Sequence, residues 1–313
     1  MSRNRFCEVL WNLSFYDQQV EQDNIFYKMR FPFEHFRSKI MAAFEPDNNL
    51  CVDEILYAFR GNCRWRQYLP SKPAKYGQKY WCLTDVNSSY LCNFDIYLGR
   101  DSTRTAPVGE SVVLKLTEPF VDSGRNVTMD NFFSSIALAE KLWDKRTTMV
   151  GTIKYSKPEM PSVAKPNRSR TVSSSQFFFH NFVTLVSYVP KRNRAVNIIS
   201  TEHHSTSIES SNKPAIIGAY NDTKGGVDTL AHLISNNTCR RKTNKWTTNS
   251  FFFIIDTAVH NSFVLFLMNN SLQTNERRRK DSSCLLQRSC VTAKSNKDAH
   301  SGILTMQLVF THT

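Results

Sequence analysis

The sequence predicts an α/β fold in which a sheet core carries an insertion and follows a helical N-terminal segment. Three observations carry that prediction. From Leu50 onward, short apolar runs alternate with turn residues, as strands do. Stretches with helical apolar spacing, Phe132–Trp143 among them, fall between those runs. A Pro-, Ser-, Lys- and Arg-rich stretch, Ser156–Ser175, then breaks the alternation before two more helical stretches.

Taken in order, residues 1–49 read as helical. Phe6, Val9, Leu10, Leu13 and Phe15 make a rough apolar face, and a polar turn follows at Asp17–Asn24. A second helix over Phe33–Phe44 ends at Glu45-Pro46-Asp47. Residues 50–155 form the first part of the core. Leu50–Phe59, Lys79–Thr84 and Tyr90–Tyr97 read as strands, with Asp85–Ser89 as a hairpin turn. Ser111–Glu118 fits helix and strand equally. Asn126–Asp130 is a short strand ending on an acid, and Thr147–Lys154 is another β-rich run. Residues 156–218 are the insertion, with short strands at Val183–Val189 and Ala195–Ser200. Residues 219–268 return to the core with a helix over Tyr220–Ser235, a Gly-Gly near its start, and a more apolar helix over Asn249–Leu267. Residues 269–313, which include Arg277-Arg-Arg-Lys280, read as a basic, disordered tail.

The 313 residues carry 40 Lys+Arg against 27 Asp+Glu, a formal net charge of +13, with 41% hydrophobic residues. That hydrophobic content is globular, and the charge favours a polyanionic partner. Met1–Phe6 lacks the apolar run of a secretory signal. The apolar stretch Phe251–Met268 holds Asp256, His260, Asn261 and Ser262, each costly in hydrocarbon, so it reads as a buried or amphipathic helix and no membrane partner is expected. The eight cysteines form no CxxC pair, so no zinc is expected. The chain has no GxxxxGK[ST] loop, GxSxG elbow or HExxH pair, and no small-molecule cofactor is expected. The compartment is read as intracellular, and nuclear if DNA is the partner.

Three segments have a composition that packing alone does not ask for. Cys51–Gly61 places Asp53 and Glu54 inside a strand-like run, where a carboxylate costs desolvation free energy unless partnered; a metal ion and a solvated edge strand are the two readings. In Ser123–Phe133, Asp130 falls where a strand gives way to a helix, as an N-cap or as a metal-binding carboxylate. In Tyr220–Ala231, Gly225 and Gly226 let the backbone pass close to something, and Asp228 is a first-turn helix acid.

At these segments the chain resembles piggyBac-type transposases. The resemblance rests on Val52-Asp53-Glu54 with Phe59-Arg60-Gly61, on Arg66–Gly77 (RQYLPSKPAKYG), and on Ser123–Ser134 (SGRNVTMDNFFS). It continues through Leu138–Leu142, Val150–Ile153, Thr184–Pro190 (TLVSYVP), Tyr220–Leu230 (YNDTKGGVDTL) and Cys239–Trp246 (CRRKTNKW). It implies a ribonuclease H-like DDE/DDD core, a mixed sheet flanked by helices, in which Asp53, Asp130 and Asp228 bind two Mg²⁺ or Mn²⁺ ions. Hard divalent cations prefer such oxygen donors. The implied chemistry is cut-and-paste DNA cleavage and strand transfer at TTAA sites, with DNA as partner, a homodimer as the family's assembly and the nucleus as compartment. The cations expected to meet the DNA backbone are Arg66, Lys72, Lys75, Arg125, Lys154, Lys157, Arg240, Arg241, Lys242 and Lys245. Ala231 stands where family members often carry a further acid, and Cys284, Cys290, His300 and His312 do not reproduce their C-terminal zinc-binding pattern. The chain therefore reads as a catalytic core without the full N-terminal dimerisation and DNA-binding region or the zinc domain. A transposase-derived DNA-binding protein or a truncated relic, without catalysis, is the alternative.

Overall fold

The computed structural model describes residues 2–12, 14–15, 25–100, 106–164, 170–209 and 212–269. The expected turn at 17–24 and tail from 270 onward, with its arginine run, two cysteines and two histidines, lie outside the described residues. In chain order the elements are α1 (Arg3–Asn12), α2 (Tyr27–Ala43), β1 (Asn49–Ala58), β2 (Gln67–Tyr68), β3 (Tyr76–Asp85) and β4 (Leu91–Ile96). There follow α3 (Val108–Thr117), β5 (Asn126–Met129), α4 (Ile136–Trp143) and β6 (Thr148–Thr152). The rest are β7 (Ser175–His180), β8 (Val183–Lys191), β9 (Arg194–Ser200), α5 (Ala215–Thr223), α6 (Gly226–Asn236) and α7 (Trp246–Asn269).

The sheet order is β2-β3-β1-β5-β6-β9-β8-β7, with β4 also on β3. Val86 N–H bonds to the Asn49 carbonyl and Phe59 N–H to the Tyr76 carbonyl, so β1 and β3 run antiparallel. β3 and β4 are antiparallel, whereas β1–β5 and β5–β6 are parallel. β9, β8 and β7 continue antiparallel from β6. Parallel neighbours are buried on both faces, which is why β5 reads as an unbroken buried run.

The chain divides into two compact units. The first is Met1–Phe44, Tyr57–Gln78 and His232–Thr313. In it α2 buries Met29, Phe33, Phe36 and Ile40, one stripe at helical spacing that tolerates Pro32 inside the helix. Phe26, Trp65 and Trp246 form an aromatic nest, with Trp65 and Trp246 centroids 4.8 Å apart. α7 is long and apolar enough to cross a membrane, by length and composition only. Several of its polar groups, Asn249, Ser250 and Asp256 among them, are nevertheless buried and partnered inside this unit. Asn249 Nδ2 and Ser250 Oγ donate to Gln78 Oε1 at 2.7 and 3.2 Å. Asp256 accepts from the Tyr57 hydroxyl at 2.6 Å, from the Thr238 hydroxyl and from Cys239 N–H at 2.8 Å. Hydrogen bonds within the unit thus satisfy buried polar groups of an apolar helix.

The second unit is Glu45–Leu56 and Lys79–Ala231. Here the structure refines several sequence expectations. Ser111–Glu118 is helical, in α3 as far as Thr117 and then in the 3-10 turn Glu118–Phe120. The helix expected from Phe132 begins at Ile136, because Phe133 and Ser134 N–H groups turn back onto the Asp130 carbonyl and Ser135 Oγ caps Leu138 N–H at 3.1 Å. The helix expected over Tyr220–Ser235 is two helices, α5 and α6, separated at Lys224-Gly225. The segment between β6 and α5 supplies three strands that extend the sheet, including β7, whose Phe-Phe-Phe run has no period-2 alternation to announce it.

Candidate active site

Register on the parallel strands aligns the first two acids. Val52 pairs with Met129 and Met129 with Gly151, so the next level of β1, β5 and β6 carries Asp53, Asp130 and Thr152. Asp130 lies just past the end of β5, where its Oδ1 accepts from Phe132 N–H at 2.8 Å. Asp53 Oδ1 accepts from Glu54 N–H at 2.7 Å. Both carboxylates are steadied by local amides.

The first turn of α6, which carries Asp228, lies against β1 through a close helix–strand approach. A Cβ built on Gly226 would stand 2.5 Å from Thr84 Oγ1 and 3.1 Å from Cys51 Cβ, so only glycine lets the start of α6 sit against β1 two residues before Asp53. The Cys51 thiol donates to the Lys224 carbonyl at 3.2 Å, tying the α5–α6 junction to the same strand. Of the two glycines singled out in the sequence, Gly226 makes the close approach; Gly225 has open space around its Cα.

Electrostatics place the acids in one neighbourhood. The Cys51 thiol is pushed up to about 12 by burial, with Asp53 and Asp228 adding to the rise. Burial raises the Asp130 carboxyl above its ordinary range, opposed by Phe132 N–H and reinforced by the Glu54 charge. The Tyr220 phenol is also raised, by burial first and then by Asp130, Cys51 and Asp53, while a hydrogen bond with Thr152 opposes the rise. Lys79 partly balances the cluster. Its ammonium lies 3.9 Å from Glu54 Oε2, 3.8 Å from the Trp81 ring centroid and 5.1 Å from that of Phe132.

Among the described residues, no three His, Cys, Asp or Glu side chains stand close enough as placed to hold a metal ion. The donor set nonetheless fits a hard divalent cation: Asp53, Asp130 and Asp228 supply carboxylate oxygens only, and Asp130 is a half-buried acid whose charge its surroundings disfavour. Ala231, one turn after Asp228 on α6, adds no oxygen.

The expected DNA-contacting cations fall into different situations. Lys154, Arg241, Lys242 and Lys245 are exposed and Lys72 and Lys157 half-buried, while Lys75 is exposed with φ 53°. Arg66 is exposed, yet its Nη1 donates to the Arg60 and Gly61 carbonyls, both at 2.9 Å. Arg240 is half-buried, donates to the Ala58 carbonyl at 2.6 Å and lies over the Tyr57 ring. Arg125 requires a correction. It is buried and donates to Glu45, to the Pro46 and Asp47 carbonyls and to Ser123 Oγ, so it staples residues 45–47 to the start of β5 instead of facing a phosphate. Sequence reasoning also missed Thr152, which strand register alone brings to this level, and the side-chain bond between Thr152 and Tyr220.

Comparison with known proteins places this geometry. A family model described as Transposase IS4 matches residues 1–263. The human PiggyBac transposable element-derived protein 3 is 23% identical over 299 residues, covering 85% of this chain and 48% of that protein. The human Chimeric ERCC6-PGBD3 protein is also 23% identical over 299 residues, which is 85% of this chain and 27% of its own length. The chain thus spans about half, or less, of the curated relatives it matches. A cryo-EM structure of a piggyBac transposase synaptic complex with hairpin DNA superposes with a TM-score of 0.83 and 34% identity, covering 99% of this chain and 68% of that one. The mixed sheet with its flanking helices is accordingly the ribonuclease H-like α/β core expected from the sequence. From a match spanning most of its length, and a sheet of the same construction, it follows that the chain belongs to the piggyBac-type transposases.

Proposed function

We propose that this chain is a DNA strand-cleaving and strand-joining transposase domain whose working carboxylates are Asp53, Asp130 and Asp228. The observation that carries the reading is the meeting of three distant chain segments: the shared register level of Asp53 and Asp130, and the glycine contact that brings the first turn of α6, with Asp228, against β1. Two Mg²⁺ or Mn²⁺ ions held by these acids would supply the charge that makes an oxygen nucleophilic and stabilises the departing 3′-oxygen. The chain's own share is to fix the carboxylates, one within β1, one just past the end of β5 and one in the first turn of α6, and to neutralise backbone phosphates. Lys154, Lys157, Arg241, Lys242, Lys245, Lys72 and Lys75, exposed or half-buried, are assigned to that role, with Arg66 and Arg240 beside them. Cut-and-paste recombination at TTAA sites, a homodimer and a nuclear location complete the proposal. DNA as partner is supported by the likeness to the hairpin-DNA complex.

A second reading, a transposase-derived DNA-binding protein without catalysis, is favoured by two observations: the three acids are not gathered to metal-holding distance as placed, and Ala231 provides no fourth carboxylate. Calorimetric titration of Mg²⁺ or Mn²⁺ separates the two. Binding by the wild type that disappears in Asp53→Ala/Asp130→Ala, together with metal-dependent nicking, supports the enzyme. Salt-sensitive DNA binding with no metal uptake in either protein would leave only the second reading.

A further inference from the structure

The level of the sheet that carries Asp53 and Asp130 ends on a hydroxyl, Thr152, the last residue of β6. Facing it from α5 is Tyr220. The ring of Tyr220 packs against the buried cluster of Val150, Val186, Tyr188, Ile198, Ile216 and Ile217. The Lys224 ammonium lies 5.4 Å from the ring centroid. The ring is therefore held in place, and its hydroxyl bonds to the Thr152 side chain in the field of Asp130 and Asp53.

Hydroxyl bookkeeping is informative here. Two hydroxyls carry two hydrogens, and the bond between them uses one, so the pair has a second hydrogen for an outside acceptor. Phenylalanine would fill the apolar cluster equally well, whereas the tyrosine oxygen adds a desolvation cost beside two carboxylates. An ordinary phenol is neutral at neutral pH, so it acts there as a donor and not as a base. An anionic oxygen brought to the acids by a divalent cation would find one uncharged donor there that does not compete with the carboxylates for the ion.

We propose that the Tyr220 hydroxyl, braced by Thr152, donates a hydrogen bond to a non-bridging oxygen of the phosphodiester being cut, and so is a further substrate contact of the site. The inference rests on the strand-cleavage reading above. It predicts that Tyr220→Phe lowers cleavage of a hairpin-ended duplex oligonucleotide roughly 10- to 100-fold at saturating DNA and Mn²⁺, the range for one hydrogen bond to a charged group. Melting temperature and the salt dependence of duplex binding stay as in the wild type. Thr152→Val loses less, in the same direction. A second readout needs no turnover. In Ca²⁺, one diastereomer of a methylphosphonate at the phosphate cut by the wild type weakens binding to the wild type but not further to Tyr220→Phe, because both changes remove the same bond. Equal cleavage by Tyr220→Phe and wild type, or fully additive losses in the Ca²⁺ cycle, would overturn the proposal alone. A wild type that neither binds nor cuts the oligonucleotide in Mg²⁺ or Mn²⁺ would overturn the strand-cleavage reading and this inference with it.

Discussion

Asp130, one of the three carboxylates proposed to hold metal, is an acid whose charge its surroundings disfavour. Burial and the Glu54 charge raise its carboxyl, so folding favours the protonated form. The stabilisation from protonation is fully present below the ordinary carboxylate range and is lost as pH rises through the raised value. Metal-free wild type at neutral pH thus carries the burden of an ionised Asp130. Asp130→Asn keeps an oxygen for Phe132 N–H and removes that burden. The expected result is a melting temperature higher by about 2 °C at pH 7 in chelator, closing to no difference in acid, with metal-dependent nicking lost. Scanning calorimetry at several pH values checks it, and an unchanged or lowered neutral-pH melting point would contradict it. Arg125 is the opposite case. Its side chain is spent on residues 45–47 and Ser123, so Arg125→Met is expected to cost roughly 2 kcal/mol in urea unfolding while leaving the salt dependence of DNA binding alone. Sequence spacing made it look like a phosphate contact because an arginine just before a candidate acid has the same appearance whether it turns inward or outward.

At the level of elements, α6 and α7 depend on single contacts that can be tested. Alanine normally favours a helix over glycine by about 1 kcal/mol, yet at Gly226 its Cβ would meet Thr84 Oγ1 and Cys51 Cβ. Gly226→Ala is therefore expected to push the start of α6 off β1 and carry Asp228 with it. Overpacking of this kind costs roughly 1–3 kcal/mol, and Mn²⁺ affinity should fall more than stability does. Calorimetric metal titration beside urea unfolding measures both, and a variant as stable and as metal-competent as the wild type would refute the contact. In α7, Asp256 accepts three hydrogen bonds in a buried setting. Asp256→Ala strands the Tyr57 and Thr238 hydroxyls and the Cys239 amide, for an expected loss of about 3 kcal/mol by urea unfolding. The apolar composition that announced this helix says nothing of those partners, which come from β1 and from the segment after α6.

For the molecule as a whole, the net charge of +13 matters through the cations that remain at the surface. On duplex DNA each neutralised phosphate contributes about −0.9 to the slope of log K against log salt. The triple variant Arg241→Ala/Lys242→Ala/Lys245→Ala is expected to shallow that slope by up to about 3, read by fluorescence anisotropy across a salt series. An unchanged slope would remove those three residues from the DNA surface.

The sequence by itself determined the fold class, the strands at Leu50–Phe59, Lys79–Thr84 and Asn126–Asp130, and the family, because burial of one face or both leaves a local period and motifs lie along a continuous chain. Only the tertiary structure decided that α5 and α6 are separate helices, that β7 extends the sheet, that Arg125 turns inward, and that Thr152 and Tyr220 join the level of Asp53 and Asp130. Local periodicity reports whether a segment is buried. Which residue lies beside which is set by strand register and by close backbone approaches such as that at Gly226, and these belong to pairs of segments far apart in the chain.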